Sequence, residues 1–176
     1  MPEALKIVLI VISSIAAVWL LLLIVNLIFV GSYLTIFKKH RRAMVVILYT
    51  KLENMKRLFT IIQHFGIDID NRLTMLLGDV RQEDFDDPAS EACTKSRNTL
   101  SYLNDEIMFI ANKNKDLLTD VDFIQAKNNI IESENIYRNN VMMYNADVLG
   151  YNYWIRFFPC RFIFLLFRVK KKEIIS

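Results

Sequence analysis

"DVDFIQAKNNIIESENIYRNNVMMYNADVLGYNYWIRFFP", residues Asp120 to Pro159, is the stretch that decides the fold of this chain. Its larger side chains recur at alternating steps of four and three, the heptad pattern of a helix packed in a bundle. The residues of this seam are Phe123, Lys127, Ile130, Glu134, Tyr137, Val141, Tyr144, Val148, Tyr151, Ile155 and Phe158. We predict one helix over 120–157, about 57 Å long at 1.5 Å per residue, capped by Thr119 and Asp120.

A Tyr-Asn pair occurs twice in this stretch, as Tyr144-Asn145 and Tyr151-Asn152. Both tyrosines lie on the seam, and a tyrosine stripe at helical spacing is typical of a core rather than of a cofactor site. The two asparagines and Arg156 lie beside the seam, where they are candidates for a polar contact.

Glu134 is the seam residue that is hardest to bury, because a buried carboxylate needs a partner. Lys127, on the same stripe, and Arg57, in an earlier helix, are the predicted partners. The alternative, a proton-handling carboxylate, would need a second acid and a cleft, which the sequence does not show.

Three more helical segments precede the seam. Apolar residues at helical spacing predict helices near 43–65, 69–80 and 90–114, the first of them ended by Gly66. The apolar stripes of these helices consist of Leu48, Leu52, Met55, Phe59 and Ile62, then Ile69, Leu73, Leu76 and Val80, then Ser96, Leu100, Leu103, Ile107 and Ile110. The acid-rich residues 82–90, which include Pro88, are predicted to form a solvated loop. The fold class is therefore all-α.

The N-terminal run Ile7 to Phe37 has 31 residues without a charge. This exceeds the roughly 20 residues that cross a bilayer as helix and the 7–15 apolar residues of a signal peptide, so a transmembrane helix is predicted. No Gly or Pro follows Gly31 before Gly66, which predicts that the helix continues directly into the domain.

Charge is distributed unevenly: residues 1–42 carry +4, residues 43–157 carry −5 and residues 158–176 carry +4. The acidic middle argues against nucleic acid, and the basic ends favour an anionic lipid surface. Lys38, Lys39, Arg41 and Arg42 follow the apolar run, so the positive-inside rule predicts the N-terminus outside and the bundle in the cytoplasm.

Residues of the last helix and of the turn before it resemble the LemA family of bacterial membrane proteins. The matching positions are Asp116-Leu117, Phe123, Glu134-Asn135, Tyr144-Asn145, Tyr151-Asn152, Ile155, Arg156 and Phe158-Pro159. They keep the family's spacing without a gap across 44 residues, whereas the first helix is similar only loosely and has Thr60 where the family usually has proline. The resemblance implies one N-terminal span with a small extracytoplasmic tip and an antiparallel bundle of long helices, and it brings no established enzymatic activity, cofactor or substrate.

Residues 160–176 form an apolar and basic tail, too short in its apolar part to span a bilayer. We expect it to lie in the membrane interface, with Lys170, Lys171 and Lys172 towards anionic lipid; packing against the base of the bundle is the alternative. The predicted organisation is therefore a tip (1–6), a span (7–37), a basic segment (38–42), a bundle (43–159) and this tail.

The predicted function is a single-pass, membrane-anchored, non-enzymatic scaffold or interaction module. Its expected partners are lipid and either an unidentified protein or a second copy of the chain. No catalytic residue, cofactor or metal is predicted, since the sequence has no glycine-rich phosphate loop or metal-ligand spacing, and its two cysteines are read as free thiols. The alternatives are a sensor that couples the span to the bundle and an accessory subunit of a membrane-associated enzyme.

Overall fold

The computed structural model describes residues 2–156, 161 and 170–175, and within them the chain forms helices joined by short turns and connections, with no strand. The elements are α1 (Glu3–His64), α2 (Asn71–Asp79), a 3-10 turn (Gln82–Phe85), α3 (Glu91–Asn112), α4 (Lys115–Thr119) and α5 (Val121–Trp154). The all-α prediction is confirmed for these residues, and α1 continues without a break from the apolar run into the domain, as predicted.

Local sequence explains where the helices begin and end. Gly66, with a φ of 69°, closes α1, and the amide of Ile67 donates to the carbonyl of Ile62 across it. Asp120 caps α5 by accepting from the amide of Phe123 at 2.8 Å, which confirms the predicted cap. The prediction was wrong for Thr119, whose hydroxyl instead donates back to the carbonyl of Asp116.

The chain divides into two compact units, which are described separately. The terminal unit comprises Met1–Lys38 and Asn145–Ile174, and the central unit comprises Lys39–Tyr144 and Ile175–Ser176.

The core of the central unit is built from one apolar face of each long helix. All five residues of the predicted stripe on α1 are buried, as are Leu100, Leu103 and Ile107 of α3. Fully or almost fully buried side chains of this core are Met44, Leu48, Leu52, Met55, Leu58, Ile62, Leu100, Leu103, Ile107, Leu117, Phe123 and Tyr137.

The buried seam of α5 differs from the predicted one in its first half. Ala126 and Ser133 occupy the buried positions, whereas Lys127, Glu134 and Val141 are only half-buried. The physical reason is that a charged side chain is costly in a core, and small residues let the neighbouring helices approach closely instead. A smaller shift of the same kind occurs in α2 and α3, where Leu77 and Ala111 are buried and the predicted Leu76 and Ile110 are half-buried.

The acid-rich segment is a largely exposed loop, as the sequence predicts, but it is fastened to the core at specific side chains. The side chain of Phe85, at the end of the 3-10 turn, has no exposed surface. Asp84 accepts a hydrogen bond from Ser96 at 2.7 Å, and Asp86 accepts one from Tyr49 of α1 at 2.7 Å. The aromatic anchor and these carboxylates therefore fasten the segment to the core.

The terminal unit contains the apolar part of α1. Within Lys6–His64, α1 is long and apolar enough to cross a membrane, by length and composition, and the most apolar window has no buried residue. Further along α1 the ring of Phe29 stacks on that of Trp154, with centroids 4.9 Å apart. The last turns of α5 thus pack on the later part of the apolar run.

Candidate functional site

A polar interior site of the central unit surrounds Lys51 and Glu134. Lys51 of α1, whose residue is only 4% exposed, donates from Nζ to Oε2 of Glu134 of α5 at 2.7 Å. The second carboxylate oxygen, Oε1, accepts from Nε of Arg138 one helical turn later at 3.3 Å. Both oxygens of Glu134 are therefore engaged by cations.

The charge state of Glu134 follows from these neighbours. Burial by itself raises the pKa of the carboxyl, but the hydrogen bond and charge of Lys51, together with Arg138 and Arg97, bring the pKa below its ordinary value. Glu134 is consequently ionised at neutral pH. A carboxylate with a lowered pKa and two cationic partners is a poor general acid or base, so this geometry favours a structural ion pair over proton transfer.

The predicted partners of Glu134 were wrong. Arg57 instead pairs with Asp122 near the start of α5, with 2.5 Å between Nη2 and Oδ1. Lys127 lies half-buried at the edge of the seam. Sequence reasoning missed Lys51 because it lies one position before the core residue Leu52, where a lysine is usually solvated.

Arg97 and Tyr137 extend the cluster on the side of α3. The guanidinium carbon of Arg97 lies 4.2 Å from the centre of the Tyr137 ring, a cation–π contact. Tyr137 is 1% exposed, and burial raises the pKa of its hydroxyl. Cys93, one turn before Arg97, is fully buried, and burial raises the pKa of its thiol, so the chemistry of a reactive cysteine is not favoured there.

A cleft of about 310 Å³ opens beside the ion pair. Ser101, Asn104 and Asp105 of α3 form one wall, and Asn135 and Arg138 of α5 form another. Asn135, which with Glu134 forms the Glu-Asn pair of the LemA resemblance, is exposed and lines this cleft. The cleft has the polarity to hold a small hydrated solute, but its charged groups already neutralise one another.

Within the described ranges, 2–156, 161 and 170–175, no cluster of three or more His, Cys, Asp or Glu side chains is placed to hold a metal ion. The carboxylates of the acid-rich segment are used in other contacts. Asp87 pairs with Arg41 and also accepts from the amide of Ala89, and these partners hold the pKa of Asp87 below its usual range, the Ala89 bond most of all.

The basic residues that are predicted to set the membrane orientation differ in their contacts. Arg41 is committed to Asp87 in the central unit, whereas Lys38, Lys39 and Arg42 are exposed. His40, between them, is buried, and its Nδ1 lies 3.4 Å from Oδ1 of Asn140.

The repeated Tyr-Asn pairs separate into different surroundings. Tyr144 is buried in the central unit, and Tyr151 is buried in the terminal unit. Asn145 is half-buried and Arg156 is exposed. Pro159, and with it the apolar part of the predicted tail, lies outside the described residues.

Asn152 has a contact that the sequence left unassigned. Its Nδ2 donates to the carbonyl of Lys172 at 2.9 Å, and its Oδ1 accepts from the amide of Lys172 at 3.1 Å. The Tyr151 hydroxyl donates to the carbonyl of Lys170 at 3.3 Å. The second Tyr-Asn pair thus holds the backbone of the tail, and leaves the side chains of Lys170, Lys171 and Lys172 exposed.

Comparisons with protein-family models, with curated proteins and with solved structures find no match to this chain. The resemblance to the LemA family accordingly stays a prediction that depends on the residues of α5 and of the turn before it.

Proposed function

We propose that this chain is a membrane-anchored helical-bundle protein of the LemA type that serves as a non-enzymatic scaffold or interaction module. The observation that supports the anchor is the exposed apolar part of α1, since a helix that is hydrophobic all round needs an apolar surrounding. The state of Glu134 supports a structural rather than a catalytic interior, because both its oxygens are bound by cations.

The bundle in this proposal is antiparallel. Contacts in the central unit support that arrangement, because the partners' numbers fall along α5 as they rise along α1. His40 is near Asn140, Lys51 pairs with Glu134, Asn54 accepts from Asn129 at 3.2 Å, and Arg57 pairs with Asp122. Such polar pairs fix the register of two neighbouring helices.

Exposed apolar side chains on α5 supply the surface for a partner. Ile124, Ile131 and Met142 are 40%, 50% and 62% exposed, and their separations of seven and eleven place them on one face of the helix. We propose that a second copy of the chain docks on this face, because apolar residues that recur on one face of a helix are the usual contact between like helices.

Association of the full chain in membranes tests this function. We expect chemical crosslinking to trap dimers of the wild-type chain, and the double variant Ile124→Lys, Met142→Lys to lose most of that product. Met75→Lys is the matched control, because Met75 is 70% exposed but lies on α2, away from this face. An absence of crosslinked product in wild-type membranes, or an equal loss in the control, would contradict the scaffold proposal.

The proposed orientation places the tip outside the cell and the central unit in the cytoplasm. Cys93 is buried and cannot report on it, so both natural cysteines are replaced by alanine and a single cysteine is placed at Met75 or at Glu3, which are exposed. An impermeant maleimide should label the Glu3→Cys variant in intact cells and the Met75→Cys variant only after lysis. The reverse pattern would show the opposite topology.

A further inference from the structure

The uncharged run of α1 is too long for the membrane that it is proposed to cross. Ile7 to Phe37 has 31 residues, about 46 Å as helix, against about 30 Å of hydrocarbon. Tilt does not resolve this mismatch, because fitting the whole run would need a tilt beyond the observed range of up to about 40°. Part of the run must therefore lie outside the hydrocarbon.

The exposure of α1 identifies that part. The described side chains of Ile7 to Val25 are exposed, apart from the half-buried Leu23. Asn26, 3% exposed, is the first buried side chain among those of α1 that the structure describes. Val30 and Phe37 are buried after it, so from Asn26 onward one face of α1 is covered by protein.

The covering element is the end of α5, and the contact is aromatic. The Phe29 and Trp154 rings are stacked, with 6° between their planes, and the Tyr151 ring packs edge-on against Phe37 at 5.4 Å and Tyr33 at 6.3 Å. The helices approach closely at Gly150, where a β-carbon would lie 2.6 Å from the Tyr33 hydroxyl oxygen. Residues 26–37 therefore have an aromatic protein partner along one face, whereas Leu27, Ile28 and Leu34 remain exposed on the rest of the helix.

We propose that the hydrocarbon core of the bilayer surrounds only Ile7 to Val25, and that the stacked pair of Phe29 and Trp154 lies at the level of the lipid headgroups. This inference rests on the proposed membrane anchoring. The 19 residues from Ile7 to Val25 measure about 28 Å, which matches the hydrocarbon thickness. Phe29 is then about 20 Å from the midpoint at Ala16, in the zone where Trp and Tyr are enriched.

The tail brings positive charge to the aqueous side of this level. Because Asn152 and Tyr151 hold the backbone at Lys172 and Lys170, the three tail lysines lie beside the turn of α5 that packs on Tyr33 and Phe37. Lys38 directly follows Phe37 on α1, so it lies on the same side of the proposed boundary as the tail lysines. In this proposal the tail lysines and Lys38 together supply the positive charge on the headgroup side of the boundary.

The two tryptophans of the chain, Trp19 and Trp154, report on the two depths. Trp19 lies only about 5 Å from the proposed midpoint. The full chain, as the single-tryptophan variants Trp154→Phe and Trp19→Phe, is reconstituted into vesicles of phosphatidylcholine and phosphatidylglycerol. The phosphatidylcholine carries bromine either deep in the acyl chain, near its methyl end, or shallow, near the headgroup.

We expect opposite rankings from the two reporters. Trp19 should lose more emission with deep bromine, and Trp154 should lose more with shallow bromine while staying accessible to aqueous acrylamide. Circular dichroism checks that both variants keep their helix content. If Trp154 is quenched most by deep bromine, or by neither bromine while Trp19 is quenched, the proposed boundary is wrong. If neither tryptophan is quenched, the membrane anchor itself is wrong.

Discussion

Two regions of the same helix show how differently apolar residues can be used. Between Ile7 and Val25 the side chains of α1 are apolar nearly all round and exposed. Between Met44 and Ile62 most of the large apolar residues form one buried stripe, and the exposed Val46, Glu53 and Lys56 lie off it. The difference is periodicity rather than hydrophobicity: an all-round apolar helix suits lipid, and a striped helix suits a protein core.

Shortening one leucine in each region gives the largest expected contrast. Leu52 has no exposed surface, so Leu52→Ala should lower the free energy of unfolding by about 2–5 kcal/mol through lost burial and a cavity. Leu21 is 63% exposed, so Leu21→Ala should leave that free energy within about 0.5 kcal/mol of wild type. Chemical denaturation of both variants in detergent micelles, followed by circular dichroism, measures the difference, and equal losses would remove the distinction between the two regions.

A smaller effect is expected from the one charged side chain buried in the striped region. Lys51→Met keeps most of the side-chain volume but leaves Glu134 with Arg138 as its hydrogen-bonded cation and Arg97 as a further nearby charge. Losing one partner of a buried pair costs about 3–5 kcal/mol, and we expect about 2 kcal/mol here because the Glu134 side chain remains 24% exposed.

The double variant Lys51→Met, Glu134→Leu distinguishes the loss of the ion pair from the loss of side-chain packing. It removes both charges, so it should recover most of the lost stability. Lys56→Met is the control on the same helix, since the Lys56 side chain is 48% exposed and its substitution should change stability little. A double variant as unstable as Lys51→Met would mean that the lysine acts through packing alone.

These contrasts also explain what could be predicted from the sequence. The buried stripe of α1, the end of that helix at Gly66 and the cap at Asp120 depend on residues within a few positions of one another, and all were predicted. The length of the apolar run indicates a helix able to span a membrane, but the run itself does not show where protein begins to cover it. That boundary, at Asn26, depends on the end of α5.

The features that were missed depend on residues far apart in sequence. Lys51 and Glu134 are separated by 83 positions, and no local pattern distinguishes Lys51 from the other cations. Phe85 did carry a signal, because a single large aromatic residue among acids is expensive to expose and could have indicated an anchored segment. On the buried seam, Ala126 and Ser133 take the positions that the heptad pattern assigned to Lys127 and Glu134. They do so because they are small, and the heptad pattern does not take side-chain size into account.

Lowering the pH should have the smallest effect on stability, because it acts through only a few carboxylates. The pKa of Glu134 is lowered in the folded state, so its contribution to stability is complete above the unfolded value, about 4.3, and is lost as the pH falls through the folded pKa. The free energy of unfolding should therefore fall as the pH drops below about 4.3, and it should fall less steeply in the Glu134→Gln variant. Asp84 and Asp87 also have lowered pKa values, and their contribution should remain in that variant.

The apolar run from Ile7 to Phe37 has no charged residue, so acid should not act on the proposed anchor. The full chain should accordingly float with vesicles to the same extent at pH 7 and at the acidic pH where the free energy of unfolding has fallen. A loss of flotation that parallels the loss of stability would show that the vesicles are bound by titrating groups rather than by the uncharged helix. In the stability experiment, a Glu134→Gln variant that loses free energy of unfolding with acid as steeply as wild type would assign the pH dependence to carboxylates outside the buried pair.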